Sequence, residues 1–374
     1  MTTRRRFLTS SAALLAGSPL LGACASAPRE ASQVAPSDKP LSILVLGGTG
    51  FIGPHQIETA LARGHRVTMF NRGSNAGLFG DRVEELVGDR DANVNAGLSA
   101  LEGDRRWDVV IDNSGYVPRH VRDSAELLRD RCEQYLYIST VAVYDYANAP
   151  LEDGIRVADV DAPLHPAPDP FTERVTGATY GPLKAEGDRI VQEIYGERGT
   201  VVRPCYIVGP GDTTDRFTYW VERLMRGGDV VCPAHPDRPM QWIDVRDLCN
   251  FVVHLIESQT PGVFNGVGPA SLVTNQEGMQ GLRAFCSEPI QLWWPSPEDL
   301  EAARFATPMF DPNRLKQWTD PRASVPAGLT YRSLADTVLD THAWWMEQSE
   351  ERRGTPRRWP SAEAERQVLE RLRG

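Results

Sequence analysis

The feature that most constrains this 374-residue chain is an apolar run that breaks into glycines. Leu41-Ser42-Ile43-Leu44-Val45-Leu46 passes without a spacer into Gly47-Gly48-Thr49-Gly50-Phe51-Ile52-Gly53, and a helical pattern from Phe51 to Arg63 follows, closed by Gly64. A short continuous apolar run reads as a strand buried on both faces. Glycines at 47, 50 and 53 allow a tight turn, close approach of the backbone to a pyrophosphate, and close packing of helix on strand. The first N–H groups of the helix have no partner within it and face the phosphates. The expectation is a dinucleotide site built from Gly47, Thr49, Gly50, Phe51, Ile52 and Gly53.

The alternation continues downstream. Arg66 to Phe70, Leu86-Val87, Trp107 to Asp112, Tyr135 to Ser139 and Thr200 to Arg203 read as further strands, with helices from about Arg119 to Arg131 and around Tyr180. This order predicts an α/β fold: a Rossmann-type doubly wound parallel sheet with a smaller C-terminal α+β substrate-binding region. The segment between Asp145 and Thr179, rich in proline and acids, is long for a loop and is expected to cover a site. The reading divides the chain into a leader (1–23), a linker (24–40), a dinucleotide-binding domain (41–210), a substrate region with strands returning to the core (211–350) and a polar tail helix (351–374).

Tyr180 and Lys184 stand four residues apart, on one face of a helix. Lys39, Lys184 and Lys316 are the chain's three lysines against ten tyrosines, so this spacing would arise by chance about 0.08 times. An ammonium beside a phenol favours the phenolate and lowers a pKa that is ordinarily ~10. Such a pair can serve as a general base near neutral pH. At the end of the second strand, Phe70-Asn71-Arg72-Gly73 offers no carboxylate for a ribose 2′-hydroxyl and does offer a guanidinium for a 2′-phosphate. The cofactor expectation is NAD(P), with NADP favoured and Asn71 and Arg72 as contacts.

Together these residues carry a resemblance. GGTGFIG, YISTVAVY, the Tyr180/Lys184 pair, Arg203-Pro204 with Val208-Gly209-Pro210, and Trp242 to Leu248 resemble the NAD-dependent epimerase/dehydratase family of extended short-chain dehydrogenases/reductases, over roughly residues 41–270. The resemblance implies that Thr140, four residues before Tyr144, hydrogen-bonds the reacting oxygen, and that Tyr180 moves its proton. It implies that Lys184 lowers the Tyr180 pKa and holds the nicotinamide ribose. It also implies that Asp89 contacts adenine and that Asn113 lines the nicotinamide side. Asn113-Ser114-Gly115-Tyr116 and Met240-Gln241-Trp242 depart from the family pattern, so a nucleotide sugar is not specified. Tyr116, Thr213, Arg216 and Gln241 are the candidate substrate contacts. The segments from Val67 to Gly73 and Gly88 to Asp91 also resemble chloroplast RNA-binding relatives of this fold, but a net charge of −10 opposes nucleic acid.

The N-terminus reads as an export signal. Arg4-Arg5-Arg6-Phe7-Leu8, a short apolar stretch and small residues follow in order, the paired arginines resembling a twin-arginine signal. Leu21-Gly22-Ala23-Cys24 resembles a lipobox, with lipidation at Cys24 preferred over cleavage near Ala25-Ser26-Ala27. Loss of residues 1–23 takes the formal charge from −10 to −13. The expected location is the periplasm or cell envelope, with membrane attachment only through Cys24 and the twin-arginine machinery as export partner. Five cysteines remain, with no C-x-x-C spacing and no predicted metal site. An exported enzyme lacks a free nicotinamide supply, so the expected chemistry is redox-neutral: a carbohydrate epimerase or dehydratase whose hydride leaves and returns on a captive cofactor. Alternatives are a net NADP-dependent carbonyl reductase and a non-catalytic nucleotide- or RNA-binding relative. Oligomeric state is open; the resemblance implies a homodimer.

Overall fold

The computed structural model describes residues 35–169 and 171–374, so the leader and Cys24 lie outside the described residues. Its centre is a seven-stranded sheet, all parallel. In spatial order the strands are Gly262–Gly266, Gly199–Pro204, Cys132–Ile138, Trp107–Asp112, Ser42–Leu46, Arg66–Asn71 and Glu84–Val87. The first strand sits inside the sheet. The chain runs outward from it through Arg66–Asn71 and Glu84–Val87, then crosses back to Trp107–Asp112 on its other side. That reversal opens a crevice at the carboxyl ends of Ser42–Leu46 and Trp107–Asp112, where ligands bind in sheets of this kind. Leu46 pairs with Asp112 there, so Gly47 and Asn113 both leave the sheet at the crevice.

Side-chain alternation sorts the core into two layers. Ile43, Val45, Val109, Ile111, Leu136 and Ile138 face the helices Ile52–Ala62 and Val245–Glu257. Leu44, Leu46, Val110, Tyr135 and Tyr137 face Pro118–Leu128 and Tyr180–Tyr195. Both faces are covered, which is why the strands read as unbroken apolar runs. Proline opens two of these helices without breaking them: Pro118 and Pro182 lie in first turns, whose N–H groups have no partner in the helix.

Four elements differ from the sequence expectation. The helix expected to reach Arg131 ends at Leu128, and the Arg131 N–H turns back to the Leu128 carbonyl. The seventh strand, Gly262–Gly266, has glycine at both ends, which dilutes its apolar signal, yet it covers the buried Gly199–Pro204 edge. The proline-rich segment is not a bare loop: Leu151–Glu152 and Ile155–Ala158 form a hairpin, and the latter pairs with Gln317–Thr319. The tail helix Ala362–Arg373 is not wholly superficial, since Ala364, Val368 and Leu369 are buried in a second apolar cluster with Trp220, Val230 and Leu292. Among the described residues the five cysteines are free thiols, and no helix is long and apolar enough to cross a membrane.

Helix and strand meet closely because residue 53 is glycine. A Cβ there would land inside the Gly48 backbone, which cannot yield as a flexible side chain would. A Cβ on Gly50 would meet nothing within 4 Å. Gly53→Ala is therefore expected to lose about 2 kcal/mol or more of unfolding free energy, and Gly50→Ala to fold as the wild type does. Urea denaturation at unchanged m-value checks both, and equal stability of the two variants would refute the packing argument.

Candidate active site

The crevice continues into a cavity of about 520 Å³ between the sheet ends and the C-terminal region. The glycine turn forms one wall through Gly47, Gly50, Phe51, Ile52 and Gly53. Thr140, Tyr180 and Lys184 line the same cavity, as do Asn113, Tyr116, Thr213, Arg216 and Gln241. Thr49 lines a second cavity of about 440 Å³ on the other side of Gly50 and Phe51, bordered by Asn75 to Leu78, Gly211 and Thr213.

Thr140 lies two residues beyond the end of the fifth strand in chain order, in extended backbone, and its hydroxyl accepts from the Ala142 N–H at 3.2 Å. That bond turns the chain into a short helical bend, Val141–Val143. Gly181 lets the start of the Tyr180–Tyr195 helix press on this bend, because a Cβ there would collide with the Ala142 carbonyl. The contact brings the Tyr180 phenol beside the Thr140 hydroxyl, which pulls its pKa down. Burial is the larger effect and leaves Tyr180 above its usual value.

Lys184 is 2 % exposed. Its ammonium donates to the Gly115 carbonyl at 2.8 Å and the Ile138 carbonyl at 2.7 Å, and lies 4.0 Å from the Tyr137 ring centre. Burial pushes Lys184 down to about 7, against the pull of Asp112 and Asp188. The lysine is committed to two strand-end carbonyls, and the influences that oppose burial at the phenol are the Thr140 hydroxyl and, more weakly, the Arg216 charge.

Other expected residues divide by their partners. Asn113 donates to the Gln56 side chain at 2.6 Å, while its own buried amide oxygen has no partner, a spare acceptor at the crevice. Arg72 is exposed and enters no ion pair among the described residues. Asn71 is not free: its oxygen accepts from the Gly73 N–H at 2.5 Å and its amide donates to Glu85 at 2.8 Å. Glu85 brings to this corner a carboxylate from the neighbouring strand, invisible to a reading of the second strand alone. Asp89 lines neither cavity and accepts from the Asp91 N–H at 2.9 Å. Gln241 is clasped, donating to the Thr319 carbonyl and accepting from the Thr319 N–H, both at 2.8 Å. Thr213 is exposed and its carbonyl accepts from Arg357 at 3.0 Å.

Sequence reasoning missed Arg238 and Arg314, which face the cavity with Arg216. None of the three pairs with a carboxylate among the described residues: Arg216 donates to the Thr214 hydroxyl at 2.8 Å and Arg238 to the Pro312 carbonyl at 2.8 Å. The Gln317 amide, turned so that its oxygen faces Arg314, accepts from it at 2.9 Å. A cation-lined pocket was not legible because these arginines come from three separate segments in a chain that has arginine nearly everywhere. The one grouping of acidic and histidine ligand types among the described residues, Asp91, His120 and Glu173, already holds the Arg119 guanidinium, 2.9 Å from Asp91 and 2.6 Å from Glu173.

These residues fit a dinucleotide. Gly50 leaves open space where a side chain would stand, helix N–H groups border it, and Asn113 presents an unpaired oxygen. Known proteins agree. The description "NAD dependent epimerase/dehydratase family" matches residues 43–266. The bovine (Bos taurus) Epimerase family protein SDR39U1 is 28% identical over 267 residues, 68% of this chain and 84% of that protein. The chloroplast stem-loop binding protein of 41 kDa b from Arabidopsis thaliana is 28% identical over 256 residues, 64% of this chain and 61% of that protein. Among solved structures, the Bordetella bronchiseptica enzyme WbmG in complex with NAD and UDP superposes with a TM-score of 0.59 at 18% identity, covering 83% of this chain and 95% of that one, a likeness of fold. The glycine turn, the parallel sheet and the matched span place this chain in the NAD-dependent epimerase/dehydratase family, among the extended short-chain dehydrogenases/reductases.

Proposed function

We propose that this protein is an NAD(P)-dependent epimerase or dehydratase acting on a sugar or related hydroxy compound that carries an anionic group. The observation that carries the reading is the meeting of Thr140, Tyr180 and Lys184 in one cavity with the glycine turn. The bound dinucleotide would accept a hydride from a carbinol carbon and return it. The Thr140 hydroxyl is placed to hold the substrate oxygen, and Tyr180 to take its proton and give it back. Burial holds the Tyr180 phenol above its usual value, and the Thr140 hydroxyl and, more weakly, the Arg216 charge oppose it. Lys184 fixes the Tyr180 helix against the strand ends and lines the cavity, with one ammonium N–H not taken by the two carbonyls. Unpaired guanidiniums at Arg216, Arg238 and Arg314 supply the anion preference.

The exposed Arg72 supports NADP over NAD, and Glu85 beside Asn71 is the feature that argues the other way. Export by the twin-arginine route with lipidation at Cys24 rests on the leader's charged, apolar and small-residue regions. Such export carries folded protein, which suits a captive cofactor and chemistry that regenerates it each turn. The family resemblance supports a homodimer, and the negative charge supports small molecules over nucleic acid as ligands.

The purified protein is expected to release about one dinucleotide per chain on denaturation, read by mass spectrometry, which also separates NAD from NADP. Tyr180→Phe should retain the dinucleotide and lose at least about 100-fold in turnover; undiminished turnover would remove Tyr180 from the chemistry. Lys184 gives a pH test. Folded Lys184 titrates near 7 against an ordinary 10.5, so between those values the unfolded chain binds the extra proton. The stability this group allows therefore rises with pH over that window. The wild type minus Lys184→Met difference in unfolding free energy should grow by up to about 3 kcal/mol from about pH 7 to about pH 9.5 in urea titrations, and a flat difference would mean an unshifted lysine.

A further inference from the structure

The loop Gly209 to Arg216 forms a wall shared by both cavities: Thr213 lines each, Asp212 and Arg216 line the larger, and Gly211 lines the second. It lies on the glycine turn, since a Cβ on Gly211 would stand 3.4 Å from the His55 ring and 3.6 Å from the Phe51 ring. One end is pinned to the first helix, where His55 and the Pro210 carbonyl are 2.9 Å apart. The other end is an oddity. Asp215 is fully buried yet adopts a left-handed backbone with φ +55°, a conformation that costs a non-glycine residue energy and persists only when its surroundings enforce it.

The enforcement comes from the far end of the chain. Arg352 donates to one Asp215 carboxylate oxygen at 2.5 Å, and the Arg357 N–H donates to the other at 2.7 Å. The Trp359 indole N–H donates to the Asp215 carbonyl at 2.9 Å, and the Arg357 guanidinium reaches the Thr213 carbonyl at 3.0 Å. Trp359 also packs edge-on against Tyr219 of the helix that Asp215 begins, with centroids 5.7 Å apart. All three residues lie beyond the span matched by the family, which ends at residue 266. Their common target is the residue before Arg216, which lines the larger cavity with Tyr180.

We propose that Arg352, Arg357 and Trp359 form a latch that positions the Gly209–Arg216 loop over the dinucleotide and thereby slows its escape. The proposal rests on the dinucleotide reading, so its test has one arm that does not. In the full chain without added dinucleotide, the double variant Arg352→Ala/Trp359→Phe should exchange its amides across 209–216 at least about tenfold faster than wild type, with the seven-stranded sheet unchanged. Arg352→Lys, which keeps a donor to Asp215, should restore most of the protection. Unchanged exchange in the loop, or equal acceleration in the sheet, would overturn the latch whatever the protein binds. In the second arm NADPH is loaded and its release followed by fluorescence. The double variant should release it about tenfold faster at a similar association rate. Wild-type binding with no change in release would overturn the link to retention, while failure of wild type to bind either NADPH or NADH would overturn the dinucleotide reading itself.

Discussion

Two hydrogen bonds from one buried ammonium organise the cavity end of this molecule. Lys184 ties the Ile138 carbonyl, at the end of one strand, to the Gly115 carbonyl, just beyond the end of the next, and so sets where the Tyr180 helix can lie. A lone cation in such a place would cost several kcal/mol. Here the cost is reduced by the carboxylates of Asp112 and Asp188 nearby and by the Tyr137 ring. Those carboxylates are themselves occupied: Asp112 takes both arms of Arg90 and the Tyr135 hydroxyl, and Asp188 takes Arg203. The site thus rests on a buried lattice of charges in which each member has a partner. Lys184 is coupled to this group through space, by the charges of Asp112, Asp188 and Arg90, while its own hydrogen bonds go to backbone carbonyls.

What the sequence discloses and what it hides divide along a physical line. The glycine turn, the alternation of strands and helices, and the Tyr180/Lys184 spacing are local, and each is set by backbone conformations or by the pitch of one helix. Those features reappear in the structure at the expected positions. Hidden from a one-dimensional reading are the competing claims on a side chain from residues far along the chain. Asn71 has the right place for a ribose contact, but Glu85 and Gly73 occupy it. Gln241 has the right place for a substrate contact, but Thr319 holds both ends of its amide. The Tyr180 pKa is the clearest case. Spacing alone puts Lys184 one helical turn from the phenol, whereas the fold commits the lysine to two carbonyls and buries the phenol, and that burial raises Tyr180 above its usual value.

The segment after Asn113 gives the cavity a character of its own. Tyr116 lies 6.4 Å from Tyr180 between ring centres, and the Lys184 ammonium lies 5.4 Å from its ring. About half of this side chain remains exposed, so an aromatic ring borders the cavity near Tyr180. Arg238 and Arg314 line the same cavity, their guanidiniums held by backbone and amide oxygens, not by acids.

The strand Gly262–Gly266 has a consequence for how the molecule can be assembled. It leaves the substrate region to close the sheet beside Gly199–Pro204, whose residues are all buried, and the chain then departs again for the cavity's far wall. The sheet and the C-terminal region are therefore threaded through one another. A polypeptide stopped near residue 210 would expose a bare, apolar sheet edge, the kind that invites association with other chains. During synthesis the sheet stays incomplete until well past its sixth strand, and sequence separation of this kind slows folding. A chain that ends before residue 262 therefore lacks both the strand that closes the sheet beside Gly199–Pro204 and the cavity lining between Met309 and Thr319.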